Sequence, residues 1–402
     1  MRILQVIHSI DADDGGTVEG VKQYCNIFKA GGHKVEVASM DAPEFVRNCA
    51  FPAKVFGLGP GRGIYGYTRR AIPWLKDNSL SYDLVIAVGI WQYCTLAVYR
   101  ALAYTRTPYA VFVHGMLDPY FKRRYPLKHL KKVIYWHGIL QRILQDANAV
   151  FFTCEEEKLL AQQSFSRYRA HEVVVPLGAF SPECDTAAAT EEFLTRFSHL
   201  RSKRLALSLG RIHPKKATDI LIKSFAQTLA TDKEWHLVIA GPDRIGWQKD
   251  LETIAVNLGV ADRITWTGML KGTHKWGAFA ASEIFVLPSH QENFGIVIAE
   301  ALACGLPVVI SDKVNIWREI ESYRAGFVGE DTLEGTSASL NRWSALSAGE
   351  IAGVRNRSRQ CFDDLFNINV TSKRLLDIVE RIAQSNSRYV TSPSAATSLG
   401  DR

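Results

Sequence analysis

The residues best suited to do chemistry are two glutamates, Glu292 and Glu300, in a stretch that runs from Pro288 to Ser311. A strand is predicted to end at Pro288, a polar loop follows, and a helix is predicted to begin near Gly295. The open N–H groups of a helix start suit a diphosphate. Glu292 lies in the loop and Glu300 eight positions later, about one and a half turns into the helix. Because a carboxylate accepts from two adjacent hydroxyls, one glutamate suits a sugar and the other a ribose diol.

A basic turn, Gly210-Arg-Ile-His-Pro-Lys-Lys216, supplies the second signal, and it directly follows a predicted strand. The glycine frees the turn, Arg211 offers a planar fork, and Lys216 offers a point charge, so both cations can bind one diphosphate. They would stabilise a departing phosphate without a metal. His213 is expected to be exposed. By itself such a turn is usually a solvated loop, but beside the glutamate stretch it favours an anion site.

Short apolar runs alternate with helical patterns along the chain, which predicts an α/β fold with parallel sheets covered by helices on both faces. Strands are predicted first at Ile3–Ile7, Val35–Ala38, Leu84–Val88 and Tyr109–Val113, with helices near Val18–Lys29 and Tyr65–Lys76. The pattern restarts after residues 181–190, with strands at Leu205–Leu209, Leu237–Ala240, Ile264–Thr267, Ile284–Leu287 and Pro307–Ile310.

The restart predicts two domains, residues 1–180 and 181–370, the second of which carries both motifs. A C-terminal helix over 371–384 is expected to pack back toward the first domain. The tail, 385–402, is rich in Ser and Thr and is expected to be disordered, because it has too few apolar residues to offset its ordering entropy.

The two motifs resemble the E-x7-E motif and the Gly-Arg…Lys phosphate turn of the retaining GT-B glycosyltransferases of family four, the group 1 glycosyl transferases. The resemblance runs from a Gly15-Gly16 loop, through Phe112-Val-His114-Gly115, to the C-terminal helix. It implies two facing Rossmann-like domains with the active site in the cleft. The implied activity moves a hexosyl unit from a UDP- or GDP-sugar to a glycan or lipid-linked oligosaccharide acceptor, in surface polysaccharide biosynthesis.

Carried over position by position, the resemblance implies a role for each matching residue. The expected catalytic set is His114, Arg211, Lys216 and Glu292. Arg211 and Lys216 would bind the donor phosphates, Glu292 the transferred sugar and Glu300 the ribose, while His114 would touch the donor sugar. The other expected donor-binding positions are Gly15, Gly16, Met269, Leu270, Asn293, Phe294, Gly295 and Ile296. The resemblance also implies retention by attack on the face of the leaving group, with a phosphate oxygen helping to deprotonate the acceptor.

The composition of the chain narrows the possible partners, cofactors and cellular locations. The net charge of +7 suits an anionic small molecule or an anionic membrane surface, and no nucleic-acid partner is expected. Seven cysteines without a Cys-x-x-Cys pair argue against a disulfide framework and a zinc site. Asp11-Ala-Asp13 is interpreted as solvated loop residues, so no metal and no cofactor beyond the nucleotide-sugar co-substrate are expected. With no signal peptide or spanning segment predicted, the expected location is cytoplasmic, with peripheral membrane attachment left open.

Attachment is suggested by the segment from Lys122 to Arg142, which has no acidic residue. Its seven basic residues are Lys122, Arg123, Arg124, Lys128, Lys131, Lys132 and Arg142. Its predicted apolar side consists of Tyr135, Trp136, Ile139 and Leu140. The composition fits a helix on an anionic bilayer, and equally an ordinary helix with a basic solvent face and Trp136 in the core.

Other functions that use the same two-domain architecture are not excluded by the sequence. A non-hydrolysing nucleotide-sugar epimerase would need a carboxylate and histidine set at the inverting carbon, and a phosphorylase would need a pyridoxal lysine; neither signature is evident. A non-catalytic sugar-nucleotide-binding protein is the third alternative. The sequence assigns neither the base and sugar of the donor nor the acceptor.

Overall fold

A computed structural model describes residues 1–11, 16–120, 122 and 126–388 of the 402-residue chain. Gly15 and Asp13 therefore lie outside the described residues. The chain divides into two compact units. The first comprises Met1–Thr153, Glu157–Val175 and the chain from Ser372 on, and the second comprises Cys154–Glu156 and Pro176–Thr371.

The first unit contains a seven-stranded sheet in the order β3-β2-β1-β4-β5-β6-β7, and all its strand pairs are parallel. The central strands are buried along almost their whole length because helices cover both faces. The strands are β1 (Arg2–Ile7), β2 (Lys34–Ser39), β3 (Lys54–Gly57), β4 (Leu84–Val88), β5 (Tyr109–Phe112), β6 (Ala149–Phe152) and β7 (Glu172–Val174).

The second unit contains a six-stranded parallel sheet in the order β10-β9-β8-β11-β12-β13. Its strands are β8 (Arg204–Leu209), β9 (Trp235–Ala240), β10 (Ile264–Gly268), β11 (Ile284–Leu287), β12 (Val308–Ser311) and β13 (Gly326–Gly329). The strand order reverses between β8 and β11, which are neighbours. In open α/β sheets the loops at the carboxyl ends of such neighbours separate and leave a crevice for ligands.

Sixteen α-helices are present in the part of the chain that the structure describes. In the first half they are α1 (Gly16–Ala30), α2 (Pro43–Arg47), α3 (Ala71–Asn78), α4 (Tyr93–Leu102), α5 (Pro126–Tyr135), α6 (Gln141–Asp146) and α7 (Glu155–Ser164). The rest are α8 (Thr186–Arg196), α9 (Thr218–Gln227), α10 (Gln248–Asn257), α11 (Gly272–Ala281), α12 (Ile296–Ala303), α13 (Trp317–Tyr323), α14 (Leu333–Ser344), α15 (Ala348–Cys361) and α16 (Ile368–Arg388). A π-helical turn, Trp136–Leu140, joins α5 to α6.

Two helices differ from their predicted bounds. The helix predicted near Tyr65–Lys76 begins only at Ala71, because Arg62 and Tyr67 pair as a small antiparallel bridge and Gly66 has a φ of 72°. The last helix, α16, is longer than predicted and includes residues 385–388, which were expected to be disordered. Leu375 and Val379 on α16 are buried, and this apolar contact stabilises the helix. Residues 389–402 lie outside the described part.

Candidate functional site

The reversal of strand order in the second unit brings the basic turn and the glutamate loop together. The basic turn follows β8 and the glutamate loop follows β11. The N–H of His290 donates to the carbonyl of Lys215 at 2.8 Å, and the Lys215 ammonium donates to Gln291 Oε1 at 3.1 Å. The two motifs, which are distant in the sequence, therefore form one structural site.

Lys216 and Glu292 make the central contact of this site. Lys216 Nζ donates to Glu292 Oε2 in an ion pair whose side chains are 18% and 20% exposed. Burial, followed by the charges of Arg211 and Lys215, lowers the pKa of Lys216 to about 8. Lys216 thus lies near two further cations and pairs with one partly buried carboxylate, and an incoming anion would relieve the repulsion among the three cations.

The basic turn is organised by its own backbone. Pro214–Lys216 form one turn of 3-10 helix, and His213 Nδ1 accepts a hydrogen bond from the N–H of Lys215 at 3.1 Å. The expectation that His213 is exposed is wrong, because the ring is half-buried while it caps this turn. Arg211 is exposed, and its side chain makes no hydrogen bond or ion pair with the residues that the structure describes. Its guanidinium is thus available to a ligand.

The glutamate loop ends in a glycine that no other residue can replace without strain. Gly295 has a φ of 73°, and a Cβ there would lie 2.8 Å from Ile298 Cδ1 and 3.1 Å from Glu292 Cγ. The backbone of Glu292 is held on both sides, because its N–H donates to Lys313 at 3.0 Å and its carbonyl accepts from Asn315 at 3.0 Å. The N-cap of α12 is Gly295, which has no side chain to bond the first-turn N–H groups, so this helix start can receive an anion.

The neighbouring residues of the loop differ in exposure. Phe294 is buried, whereas Ile296, the first residue of α12, is 39% exposed. Asn293 Oδ1 accepts from Asn315 Nδ2 at 3.4 Å. The backbone of this segment is therefore fixed by its surroundings beside the helix start.

Glu300, on α12, is paired with a residue that the sequence reasoning missed. Lys275 Nζ, from α11, donates to Glu300 Oε1 at 2.7 Å, and the two side chains are 23% and 15% exposed. The Lys275 ammonium also lies 4.7 Å from the Trp276 ring centroid. A lone lysine 25 positions away carries no local signal for this pairing. After β10, Met269 is half-exposed and Leu270 is buried.

In the first unit, His114 has an unusual backbone and ring environment. Its φ is 50°, and its ring stacks on Phe112 with centroids 4.6 Å apart. Burial lowers the pKa of His114 to about 4, so the imidazole is neutral at neutral pH. Its Nε2 is buried without a hydrogen-bond partner among the described residues. Gly16, the other described first-unit position, is exposed at the start of α1.

The basic segment from Lys122 to Arg142 has a different apolar face from the predicted one. Trp136 and Leu140 are fully buried, and Tyr135 and Ile139 are partly buried against the first-unit core. The exposed apolar residues are instead Leu127 at 82%, Leu130 at 61% and Ile134 at 70%. Arg123, Arg124 and the side chain of Lys128 lie outside the described residues.

The described residues contain neither a cluster suited to a metal ion nor a membrane-spanning helix. No three side chains of the types His, Cys, Asp and Glu come together so that they could hold a metal ion. Within the same residues, no helix combines the length and the apolar composition needed to span a membrane.

Two Rossmann-like units with parallel sheets, the second with a cationic turn beside a helix start, define the GT-B fold. Residues 191–345 match the family described as "Glycosyl transferases group 1", and residues 15–178 match "Glycosyl transferase 4-like domain". Together, these two matches cover most of the chain. The protein belongs to the group 1 glycosyl transferases.

One curated relative and two solved structures illustrate what this chain is similar to. The chain is 27% identical over 271 residues to a D-inositol 3-phosphate glycosyltransferase of Gordonia bronchialis, covering 64% of the chain and 57% of that relative. The chain thus spans little more than half of that relative's length. Sucrose-phosphate synthase from Thermosynechococcus elongatus has a TM-score of 0.75 at 16% identity, covering 96% of this chain and 100% of that one. Anabaena Alr3699/HepE in complex with UDP has a TM-score of 0.74 at 18% identity, covering 95% and 100%. At these identities the two structures establish the fold alone.

Proposed function

We propose that the protein is a retaining glycosyltransferase that moves a hexosyl unit from a nucleotide-diphosphate sugar to a saccharide acceptor. The observation that carries the proposal is the contact between the basic turn and the glutamate loop, centred on Lys216 and Glu292, beside the start of α12. The Anabaena neighbour of the same fold is described with UDP and glucose, which supports a UDP-sugar as the first donor to test.

The chemistry follows from where charge develops. As the bond between sugar and diphosphate breaks, the phosphate gains negative charge and the sugar ring gains positive charge. Arg211, Lys216 and the first turn of α12 would stabilise the phosphate, and no metal is needed for that step. Glu292 would hold hydroxyls of the transferred sugar and Glu300 those of the ribose. Activity should then persist in excess EDTA, and a complete loss that Mg²⁺ restores would refute metal independence.

Two further groups of contacts complete the proposed site. His114 would contact the donor sugar, because its buried Nε2 lacks a partner among the described residues. Backbone groups of Phe294, Gly295 and Ile296 would contact sugar and phosphate.

The remaining expected positions would complete the donor site. Backbone groups near Met269 and Leu270 would contact the base, and Asn293 would lie near the sugar. Gly16, with Gly15, would allow a ligand to approach the backbone closely.

Binding and turnover can be tested together. Thermal shifts with UDP, GDP, ADP and their sugars should identify the base, because a ligand of the native state raises the melting temperature. Arg211→Gln and Lys216→Gln should each lower turnover about 10²-fold, as loss of one transition-state contact does in other enzymes. Lys233→Gln, at an exposed lysine of the same unit, is the matched control. Normal binding and turnover in both site variants would rule out the proposed donor site.

Retention is tested by following the anomeric proton of the product by NMR. The proposed route is attack on the face of the departing phosphate, with a donor phosphate oxygen assisting deprotonation of the acceptor. A product of inverted configuration contradicts it. So does a covalent sugar trapped on Glu292.

The alternative functions can be distinguished by the products that they release. An epimerase converts the nucleotide sugar without an acceptor, whereas a transferase releases nucleoside diphosphate only when an acceptor is added. A binding protein releases none in either case. Candidate acceptors are glycans and lipid-linked oligosaccharides of surface polysaccharide synthesis, and inositol phosphate should be included because of the relative's name.

We also propose that α5 contacts the cytoplasmic face of an anionic membrane, where a lipid-linked acceptor would lie. Leu127, Leu130 and Ile134 form an exposed ridge at positions that share one helix face. Lys122 and Lys131 are exposed in the same segment, which has no acidic residue between Asp118 and Asp146. An apolar ridge beside lysines fits an interfacial helix.

Vesicle sedimentation tests this contact. Leu130→Asp with Ile134→Asp should abolish binding to vesicles that contain anionic lipid, and Lys131→Glu should weaken it. Leu80→Asp, at a leucine of the first unit that is 73% exposed, is the matched control and should bind normally. Equal partitioning of all variants rules out this contact while leaving the donor site untouched.

A further inference from the structure

Glu157, on α7, is a buried carboxylate of the first unit that joins two strand ends. It is 3% exposed. Its Oε1 accepts a hydrogen bond from the N–H of Gly115 at 2.5 Å, and its Oε2 accepts from the N–H and the hydroxyl of Thr153, each at 2.6 Å. Gly115 follows β5 and Thr153 follows β6, so one side chain holds both carboxyl ends in register.

The turn that Glu157 holds is strained. His114 has a φ of 50° and Gly115 a φ of 73°, so two successive residues adopt the left-handed conformation. A residue other than glycine adopts this region uncommonly, and its surroundings then help to hold it there. The Gly115 N–H donates to Glu157 Oε1 at 2.5 Å, and a carboxylate acceptor makes this bond strong enough to help hold the turn.

The conformation of this turn determines where the His114 ring lies. The ring stacks on Phe112 at 4.6 Å and 16°, and Phe112 stacks on Tyr24 at 4.9 Å and 19°. Gly20 of α1 lies beside the ring, where an added Cβ would be in ordinary van der Waals contact, 3.7 Å from His114 Cε1. The buried Nε2 of His114 is left without a hydrogen-bond partner among the described residues. An orphan nitrogen in a fixed ring is suited to meet a ligand hydroxyl.

We propose that Glu157 is a positioning residue, which holds the His114–Gly115 turn so that His114 Nε2 is presented to the donor sugar. This inference rests on the proposed contact between His114 and the donor. Glu157 itself touches no substrate in this proposal; it acts through the backbone of Gly115.

Glu157→Gln is the sharpest variant, because it keeps the size of the side chain while changing its bonding. An ionised carboxylate accepts at both oxygens, whereas an amide must direct its NH2 group at one of the N–H donors. The variant therefore loses the Gly115 bond or, if its NH2 faces Thr153, the bond from the Thr153 N–H, since the Thr153 hydroxyl can accept as well as donate. Glu36→Gln is the matched control, because Glu36 is 4% exposed in the same unit and bonds Arg2 and Tyr82 instead.

The test combines kinetics with NMR of the histidine ring in the full chain. Glu157→Gln should lower kcat/KM for the donor about tenfold when His114 is present, and less than about twofold in a His114→Ala background. The ring resonances of His114 should shift in Glu157→Gln but not in Glu36→Gln. Equal kinetic losses in both backgrounds with unshifted resonances would overturn the inference.

The two proposals can fail separately. If His114→Ala leaves turnover unchanged, the proposed donor contact of His114 is wrong, and the inference that Glu157 presents the ring to the donor is overturned with it. If His114→Ala lowers turnover but Glu157→Gln moves neither the kinetics nor the ring resonances, Glu157 alone loses its role.

Discussion

Lys216 and Glu292 lie 76 positions apart in the sequence and form an ion pair in the folded second unit. In the proposed function each holds a different part of the donor, Lys216 the diphosphate and Glu292 the sugar. In the free protein Glu292 therefore pairs with the Lys216 ammonium, which would otherwise be available to the diphosphate. Donor binding must exchange this internal contact for contacts to the ligand.

Glu292→Gln should consequently bind free nucleoside diphosphate more tightly, by up to about tenfold, because the competing carboxylate is gone. The same variant should lose turnover, because the sugar loses its carboxylate contact. Calorimetric titration with UDP measures the first effect and product release the second. Glu321→Gln, an exposed glutamate of the same unit, should change neither. Weaker UDP binding in Glu292→Gln would contradict the competition.

The affinity for nucleoside diphosphate should fall as pH rises through about 8. Burial and neighbouring cations lower the pKa of Lys216 to about 8, so the ammonium is charged below that pH and loses its proton above it. Affinity should then decrease by at most about tenfold per pH unit, and binding near pH 8.5 should take up a proton. Titrations in buffers of different ionisation enthalpy measure this uptake. Lys216→Arg should show no such decrease, because arginine stays charged. If the affinity of the wild-type protein for nucleoside diphosphate stays constant up to pH 10, titration of Lys216 does not control binding.

Gly295→Ala should both destabilise the protein and impair donor binding. It places a residue at a φ of 73° and a Cβ 2.8 Å from Ile298 Cδ1. Gly246→Ala is a matched control, because Gly246 has a φ of 75° with no atom within 4 Å of an added Cβ. Both should lose about 1 kcal/mol of stability from backbone strain, with a further loss at Gly295. Only Gly295→Ala should weaken UDP binding. Equal melting temperatures and equal affinities for the two variants would show that the close contacts of Gly295 are unimportant.

Glu300 should distinguish a ribose from a deoxyribose. Glu300→Gln should reduce the preference for UDP over 2′-deoxy-UDP, which we expect to be about tenfold, to near unity. Lys275→Met removes the partner at 2.7 Å but retains the carboxylate, so the preference should survive even if affinity changes. Competition titrations with both nucleotides measure the ratio. A preference that Glu300→Gln leaves intact would assign the ribose to other residues.

The sequence by itself determined the α/β class, the parallel sheets and the GT-B family, because these depend on local signals. Unbroken apolar runs such as Leu84–Val88 indicate strands covered on both faces, and the β11–α12 stretch contains its strand, loop and helix within some twenty residues. The start of a helix near Gly295 was also predicted from the sequence, and α12 begins at Ile296.

Only the tertiary structure decided which distant residues meet. The Lys216–Glu292, Lys275–Glu300 and Glu157–Gly115 contacts each join separate elements, and no local pattern encodes them. It also decided which face of the α5–α6 segment is exposed: Trp136 packs in the core, while the ridge of Leu127, Leu130 and Ile134 faces solvent. The physical reason is that apolar spacing shows that a helix has an apolar side, whereas burial depends on what packs against that side in three dimensions.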